Sequence, residues 1–301
     1  MKFVLLVLVA LVACGDDSTP PPDAGDDGGG EDVPRGPVPF SVATWNVENL
    51  FDEVDDPEKL DELPSSRAVE GKLEALGRVI RALDADIVAL QEVENEAILN
   101  RLADGPLADM GYTERHLIDG FDRRGIDVAC LSRVPITNVV SHQGESFPAA
   151  DGSRDFFFTR DALEIFAEPG GVPIIVMILH LRSMLDDGDD HRLAEAIQAR
   201  RIADRRVEMG FDRFLIVGDF NDLPGSEVLD AIVDDEAFID QSLTVPVDDR
   251  WTFDFRGRLQ LVDYIVGSPL MDAARDDALI VHGPEVDAAS DHAPVRVSFE
   301  L

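Results

Sequence analysis

The stretch Phe214 to Asp222, FLIVGDFND, decides how the rest of the chain is read. Its four uninterrupted apolar residues, Phe214 to Val217, predict a short strand buried on both faces and ending at Gly218. Asp219 and Asn221 then fall just past a strand end, where open α/β sheets gather their ligands. An acid and an amide on one stiff turn can converge on a single substrate, the acid as charge or proton acceptor and the amide as a source of orienting hydrogen bonds. Gly, Asp and Asn are also the residues of ordinary turns, so this stretch alone leaves both readings open.

Outward from it, the same arrangement recurs. Phe40 to Asn46, FSVATWN, predicts a strand running into Val47-Glu48-Asn49, and Asp86 to Leu90 a second one with Gln91-Glu92 at its carboxyl end. Between them Val69, Leu73, Leu76, Ile80 and Leu83 recur at helical spacing. Strand, helix, strand implies a right-handed crossover that brings Asn46, Glu48 and Glu92 to one rim. Further strands are expected at 112–117, 126–131, 136–140, 156–166, 172–180, 259–266, 278–282 and from Val295 on. Helices are expected at about 95–102, along Leu193 to Val207, and near Ser226 to Ile232. Arg200, Arg201, Arg205 and Arg206 read as a solvated face of the long helix before Phe214. Five polar clusters thus fall at ends of apolar strands: Asn46-Val47-Glu48, Gln91-Glu92, His180-Leu181-Arg182, Asp219-Phe220-Asn221 and, immediately before the last strand, Ser290-Asp291-His292.

The chain's 301 residues hold 26 Lys and Arg against 61 Asp and Glu, a formal net charge of −35. Such a field repels polyanions at long range, which counts against a nonspecific nucleic-acid binder but not against a metal-dependent nuclease. With 45% hydrophobic residues the chain can bury a large core, enough for one domain over residues 40–301. Residues 1–13 read as a signal peptide whose apolar run, Phe3 to Ala13, is too short to span a bilayer. Leu11-Val12-Ala13-Cys14 looks like a bacterial lipobox, making Cys14 a lipidation site, and residues 14–39, rich in Asp, Gly and Pro, a disordered acidic tether. An exported monomer anchored by lipid in the cell envelope or at the outer surface is therefore expected. Cys130 lies in an apolar run and is expected to be a buried small hydrophobe.

Several carboxylates at one rim, with no lysine opposing them, would repel one another unless a hard cation sat between them. Oxygen ligands suit Mg²⁺, Mn²⁺ or Ca²⁺, whereas two histidines without sulfur suit zinc poorly. A cation so held needs only a phosphate ester and a water to become a hydrolase.

TWNVENLF, LQEVEN, GIDVACLSR, LHLRS, GDFND, the Val262-Asp263-Tyr264 strand and SDHAPV follow one another in the order typical of the endonuclease/exonuclease/phosphatase superfamily, which the chain resembles from Phe40 to its C-terminus. That fold is shared by secreted deoxyribonucleases, abasic-site endonucleases, inositol-phosphate phosphatases and neutral sphingomyelinases. The resemblance implies a four-layered α/β sandwich, two packed mixed sheets flanked by helices. It implies Glu92 as principal metal ligand, with Asn46 and Asp291 close to the ion. By the same carry-over Asp219 accepts a proton from the attacking water or orients it, Asn221 holds that geometry, Asp263 fixes His292, His292 meets the scissile phosphate or the water, and His180 contacts a phosphate oxygen.

Two positions depart from the family's pattern. Glu48 stands where many relatives have Asp, and Arg182 where many secreted bacterial relatives have Lys, which favours a forked phosphate contact. Asp127, Arg133 and Arg154 lie in segments that border the site in relatives. Three functions remain open at this point: a phosphodiesterase acting on nucleic acid, an enzyme of the same fold acting on phosphomonoesters or phospholipid headgroups, and a catalytically silent binding lipoprotein.

Overall fold

The computed structural model describes residues 36–184, 188–234 and 236–301; the expected signal segment, Cys14 and most of the expected tether lie outside the described residues. The chain opens with strand β1 (Pro39–Leu50), helix α1 (Ser66–Leu83) and strand β2 (Ile87–Val93), the two strands parallel with Asn46 opposite Gln91. Helix α1 starts where the Ser65 hydroxyl accepts the Ala68 N–H and stops at Asp84, whose φ of 46° leaves the helical region. Its buried face carries Val69, Leu73, Leu76, Ile80 and Leu83, the spacing that fits a helix lying on a sheet.

Helix α2 (Glu96–Asp104) is capped by Asn95, and strands β3 (Glu114–Leu117) and β4 (Asp127–Ser132) follow. Strand β5 (Ile136–Val140), a small hairpin of β6 (Phe147–Pro148) and β7 (Asp155–Phe156), then β8 (Leu163–Ala167) and β9 (Ile174–His180) lead to helix α3 (Asp189–Glu208) and β10 (Phe214–Asp219). The remainder holds α4 (Glu227–Ile232), β11 (Ile239–Asp240), the hairpin β12 (Phe253–Asp254) and β13 (Leu259–Gln260), β14 (Asp263–Gly267), α5 (Pro269–Ala274), β15 (Arg275–Ile280), α6 (Pro284–Asp287) and β16 (Val295–Glu300).

Two six-stranded sheets result, ordered β15-β16-β1-β2-β4-β3 and β11-β14-β10-β9-β8-β5. Both are mixed, the parallel pairs being β1–β2 and β9–β10. They pack face to face with β1 and β2 against β10, while α1 lies on β1 and α3 on β10, which gives four layers. Phe214 to Val217 are fully buried, as a central strand with a sheet on one face and a helix on the other requires. Cys130 is buried in β4.

Four expectations need correcting. Strand β10 does not end at Gly218 but runs through it to Asp219; with φ 141°, a Cβ here would stand 1.9 Å from the Leu179 carbonyl oxygen, so glycine serves close approach of two backbones rather than a turn. The strand expected over 156–166 breaks between β7 and β8, because Arg160 and Asp161 turn inward to partners, Asp122 at 3.0 Å and the His142 N–H at 2.8 Å. The strand expected over 259–266 breaks at Leu261-Val262, where the Thr252 hydroxyl oxygen accepts the N–H groups of Val262 and Asp263.

Nor are the arginines of α3 uniformly solvated. Arg200 reaches Asp204, Asp234 and the Ile232 carbonyl, and Arg206 clasps the fully buried Glu164. At the start of β1, Val38 exchanges both backbone hydrogen bonds with Leu301 at 2.9 Å.

Candidate active site

The strand ends that carry the polar clusters meet at one edge of the sandwich, around a cleft of about 480 Å³. Its walls include Asn46, Glu48, Glu92, His180, Asp219, Asn221, Asp291 and His292. Local backbone geometry sets these side chains. Among the described residues six that are not glycine have positive φ, and four are here: Glu48 (50°), Asn49 (56°), Glu92 (64°) and Asn221 (50°). Pairing between β1 and β2 slips between Asn46 and Leu50, and that between β2 and β4 slips between Leu90 and Val93. Such bulges re-aim side chains, and each left-handed residue costs about 1–3 kcal/mol that the surrounding fold must offset. One result is that Glu92 enters the cleft while its neighbour Gln91 turns away to bond Thr44.

Asn46 links the two halves. Its Nδ2 donates to Asp219 Oδ2 at 3.0 Å and to Glu92 Oε1 at 3.4 Å, and its Oδ1 accepts the Glu48 N–H at 3.0 Å. Glu92 Oε2 accepts the Asn49 N–H at 2.9 Å. Asp219, 1% exposed, also accepts the Asn221 N–H at 2.8 Å, while Asn221 Nδ2 donates to the Leu181 carbonyl at 3.1 Å. Ser290 ties the loop before β16 to β1, donating to the Asn46 carbonyl at 2.7 Å and accepting the His292 N–H at 3.0 Å.

His292 pairs through Nδ1 with Asp263 Oδ2 at 2.8 Å, and its Nε2 lies 3.9 Å from Asp291 Oδ1. Burial alone would strip its proton, but the charges of Asp263 and Asp219 outweigh that and hold its pKa at about 10. Asp219 is pushed up to about 7, by burial first and by Asp263 second, with His292 pulling the other way. His180, 3.6 Å from Asp219, is held neutral by its burial and by the charges of Arg160, His292 and Arg124.

Two groupings could hold a cation. One ligand atom from each of Asp219, Asp263 and His292 lies within 4.8 Å of the others, and within that group His292 Nδ1 and Asp263 Oδ2 are already paired at 2.8 Å. The second grouping, Glu48, Glu92 and Asp291, suits a hard dication better. Burial and Asp291 raise the pKa of Glu48, and burial, then Glu92, raise that of Asp291. The sequence reading supposed no lysine here, and the fold supplies one. Lys72 of α1 places Nζ 3.8 Å from Glu48, within the fields of all three acids. One ammonium against three carboxylates still leaves negative charge uncompensated. Glu48 and Asp291 are about half exposed, which leaves coordination positions for water or substrate, and Asn46 Oδ1 retains a lone pair.

Of the remaining expected residues, Asp263 stands behind His292 and Arg182 lines the adjoining groove instead of the cleft. Arg133 is far from the site, pairing with Asp84 and Asp86 at the opposite end of the sheet. Arg154 pairs with Asp190, and Asp127 accepts the Gly120 N–H. Sequence reasoning missed Lys72, Asn49, Arg124, Arg160 and Phe253. Arg124 donates to Asn49, and Phe253 of β12 stacks on the His292 ring with centroids 4.8 Å apart. Asn49, three residues past Asn46 in the same motif, was the one within reach of a local reading.

A family model described as Endonuclease/Exonuclease/phosphatase family matches residues 41–283. No curated protein matches the chain. Among solved structures it is similar to an endonuclease/exonuclease/phosphatase family protein from Bacteroides thetaiotaomicron, with 17% identity, TM-score 0.60, and 88% of this chain and 99% of that one covered. The human nocturnin catalytic domain with bound sulfate anion gives 17% identity and TM-score 0.63 over 87% and 94%. An endonuclease/exonuclease/phosphatase from Beutenbergia cavernae gives 20% and 0.64 over 88% and 72%.

Proposed function

The chain belongs to the endonuclease/exonuclease/phosphatase family and is a metal-dependent phosphoric ester hydrolase, and on that premise we propose that it cleaves phosphodiesters, nucleic acid foremost, outside the cytoplasm with Mg²⁺ or Mn²⁺. The observation that carries this reading is the juxtaposition, in one cleft, of buried Asp219 held by Asn46 and Asn221, the His292–Asp263 pair, and a rim of three carboxylates. Glu92, Glu48, Asp291 and Asn46 Oδ1 would hold the ion, which when bound neutralises charge growing on the phosphoryl oxygens. Asp219, fixed by Asn46 and Asn221, accepts the proton of the attacking water; a pKa near neutrality is what a general base needs. His292, held by Asp263, donates through Nε2 to a phosphoryl oxygen. A diester rather than a monoester fits because the cleft is acidic overall and opens at its side into a second groove, so chain can extend past the phosphorus.

The test is a hydrolysis screen over DNA, RNA, bis-p-nitrophenyl phosphate, phosphomonoesters, inositol phosphates and phospholipids, with and without chelator. Cleavage of the diesters in Mg²⁺ or Mn²⁺, well above the monoesters, is the expected result. Diesters left intact while monoesters or phospholipid headgroups are cleaved would overturn the substrate assignment. Export and anchoring rest on the Phe3–Ala13 run ending at Cys14. Cys14→Ser is expected to lose palmitate labelling and leave the membrane fraction; a variant that stays labelled refutes the anchor.

A further inference from the structure

Beside the reaction cleft lies a second groove of about 930 Å³, which shares Arg124, Arg160 and Ser183 with it and adds Phe121, Phe157 and Arg182. The two phenylalanines are the only aromatic side chains among the large exposed hydrophobics of the described residues, 58% and 47% exposed. Their rings are 6.3 Å apart at 79°. A near-perpendicular pair offers one face and one edge, the reception a flat aromatic ring requires.

Both rings stand on pinned backbone. Beside Phe157, the Phe156 ring is clamped between His191 (4.1 Å, 8°) and Arg154 (4.6 Å), and His191 Nε2 bonds the Phe157 carbonyl at 2.8 Å. Beside Phe121, Asp122 is held by Arg160 at 3.0 Å and the Gly120 N–H by Asp127 at 2.9 Å. A preformed platform loses little entropy on binding.

Charge narrows the ligand. In a chain of net charge −35, four arginines, Arg123, Arg124, Arg160 and Arg182, line this groove with two carboxylates, Asp122 and Asp155, and the Arg160–Asp122 pair takes one charge from each side. Aromatic faces interleaved with guanidinium groups, leading to a phosphate-cleaving site, match the chemistry of a nucleotide chain: bases to stack and phosphates to pair. A duplex hides its base faces, so only an unpaired strand can use the platform.

We propose that Phe121 and Phe157 form a base-stacking subsite that positions a single-stranded nucleic acid with its neighbouring phosphate in the reaction cleft. This rests on the phosphodiesterase reading of that cleft. The double variant F121A/F157A is the test, measured with a single-stranded oligothymidylate, its duplex and methyl p-nitrophenyl phosphate, a diester without a base. Both side chains are exposed, so the variant is expected to melt with the wild type.

KM for the single strand is expected to rise about tenfold or more, the scale of one stacked base. Turnover of the baseless diester is expected to stay unchanged, and F121Y/F157Y to retain affinity for the strand. An equal loss on both substrates, or no loss on either, overturns the subsite. So does wild-type protein that prefers the duplex. Loss of binding to phosphatidylcholine–phosphatidylglycerol vesicles with unchanged KM for the strand would assign the pair to a membrane surface and overturn it too. Wild-type protein inert on methyl p-nitrophenyl phosphate in Mg²⁺ or Mn²⁺ would sink the phosphodiesterase reading itself, which separates the two failures.

Discussion

Replacing Asp219 by Asn is expected to lower kcat on a p-nitrophenyl phosphodiester by about 10²–10⁴-fold, with KM nearly unchanged. The side chain is 1% exposed and touches Asn46 and the Asn221 N–H, so an amide of the same shape keeps the packing and one of the two hydrogen bonds. What it cannot do is take a proton. Because His292 stays paired with Asp263, the oxyanion-stabilising half of the site survives, which is why a residual rate above the uncatalysed reaction is expected. Circular dichroism and single-turnover kinetics on the same preparation decide it. A variant retaining more than about a tenth of wild-type kcat places the general base elsewhere.

The second large effect concerns the rim. Chelation is expected to abolish turnover, and Mg²⁺ or Mn²⁺ to restore it, since Glu48, Glu92 and Asp291 are arranged at a mutual electrostatic cost that Lys72 offsets only in part. Binding to the folded state alone stabilises by mass action, about 2.7 kcal/mol at a hundredfold excess over Kd, which for a domain of this size raises the melting temperature by roughly 5 °C or more. Glu92→Gln is expected to remove most of that shift while the metal-free protein melts normally, because Glu92 gives up only the Asn49 and Asn46 contacts. If the shift persisted in Glu92→Gln and vanished in Asp263→Asn, the ion would belong in the Asp219, Asp263 and His292 pocket instead.

Legibility followed range. Phe214 to Val217 could be read as a buried central strand because a double-faced burial leaves an unbroken apolar run, and α1 because its stripe repeats every three or four residues. Gly218 was misread because a turn glycine and a close-approach glycine look alike until Leu179 is placed beside it. The breaks in the strands expected over 156–166 and 259–266 were hidden for the same reason. Arg160 and Thr252, which cause them, find their partners across many intervening residues.

Order and chemistry of the polar motifs, from Asn46 to His292, were written in the chain itself, since each motif is local, although the strands run on through them, β1 to Leu50, β2 to Val93 and β10 to Asp219. The fold alone decided that Lys72 would face the acidic rim, that Phe253 would cover His292, and that Phe121 and Phe157 would meet beside four arginines. It also set the balance at His292: the carboxylates of Asp263 and Asp219 raise its pKa against the burial that lowers it, a consequence of distances that no string of residues displays.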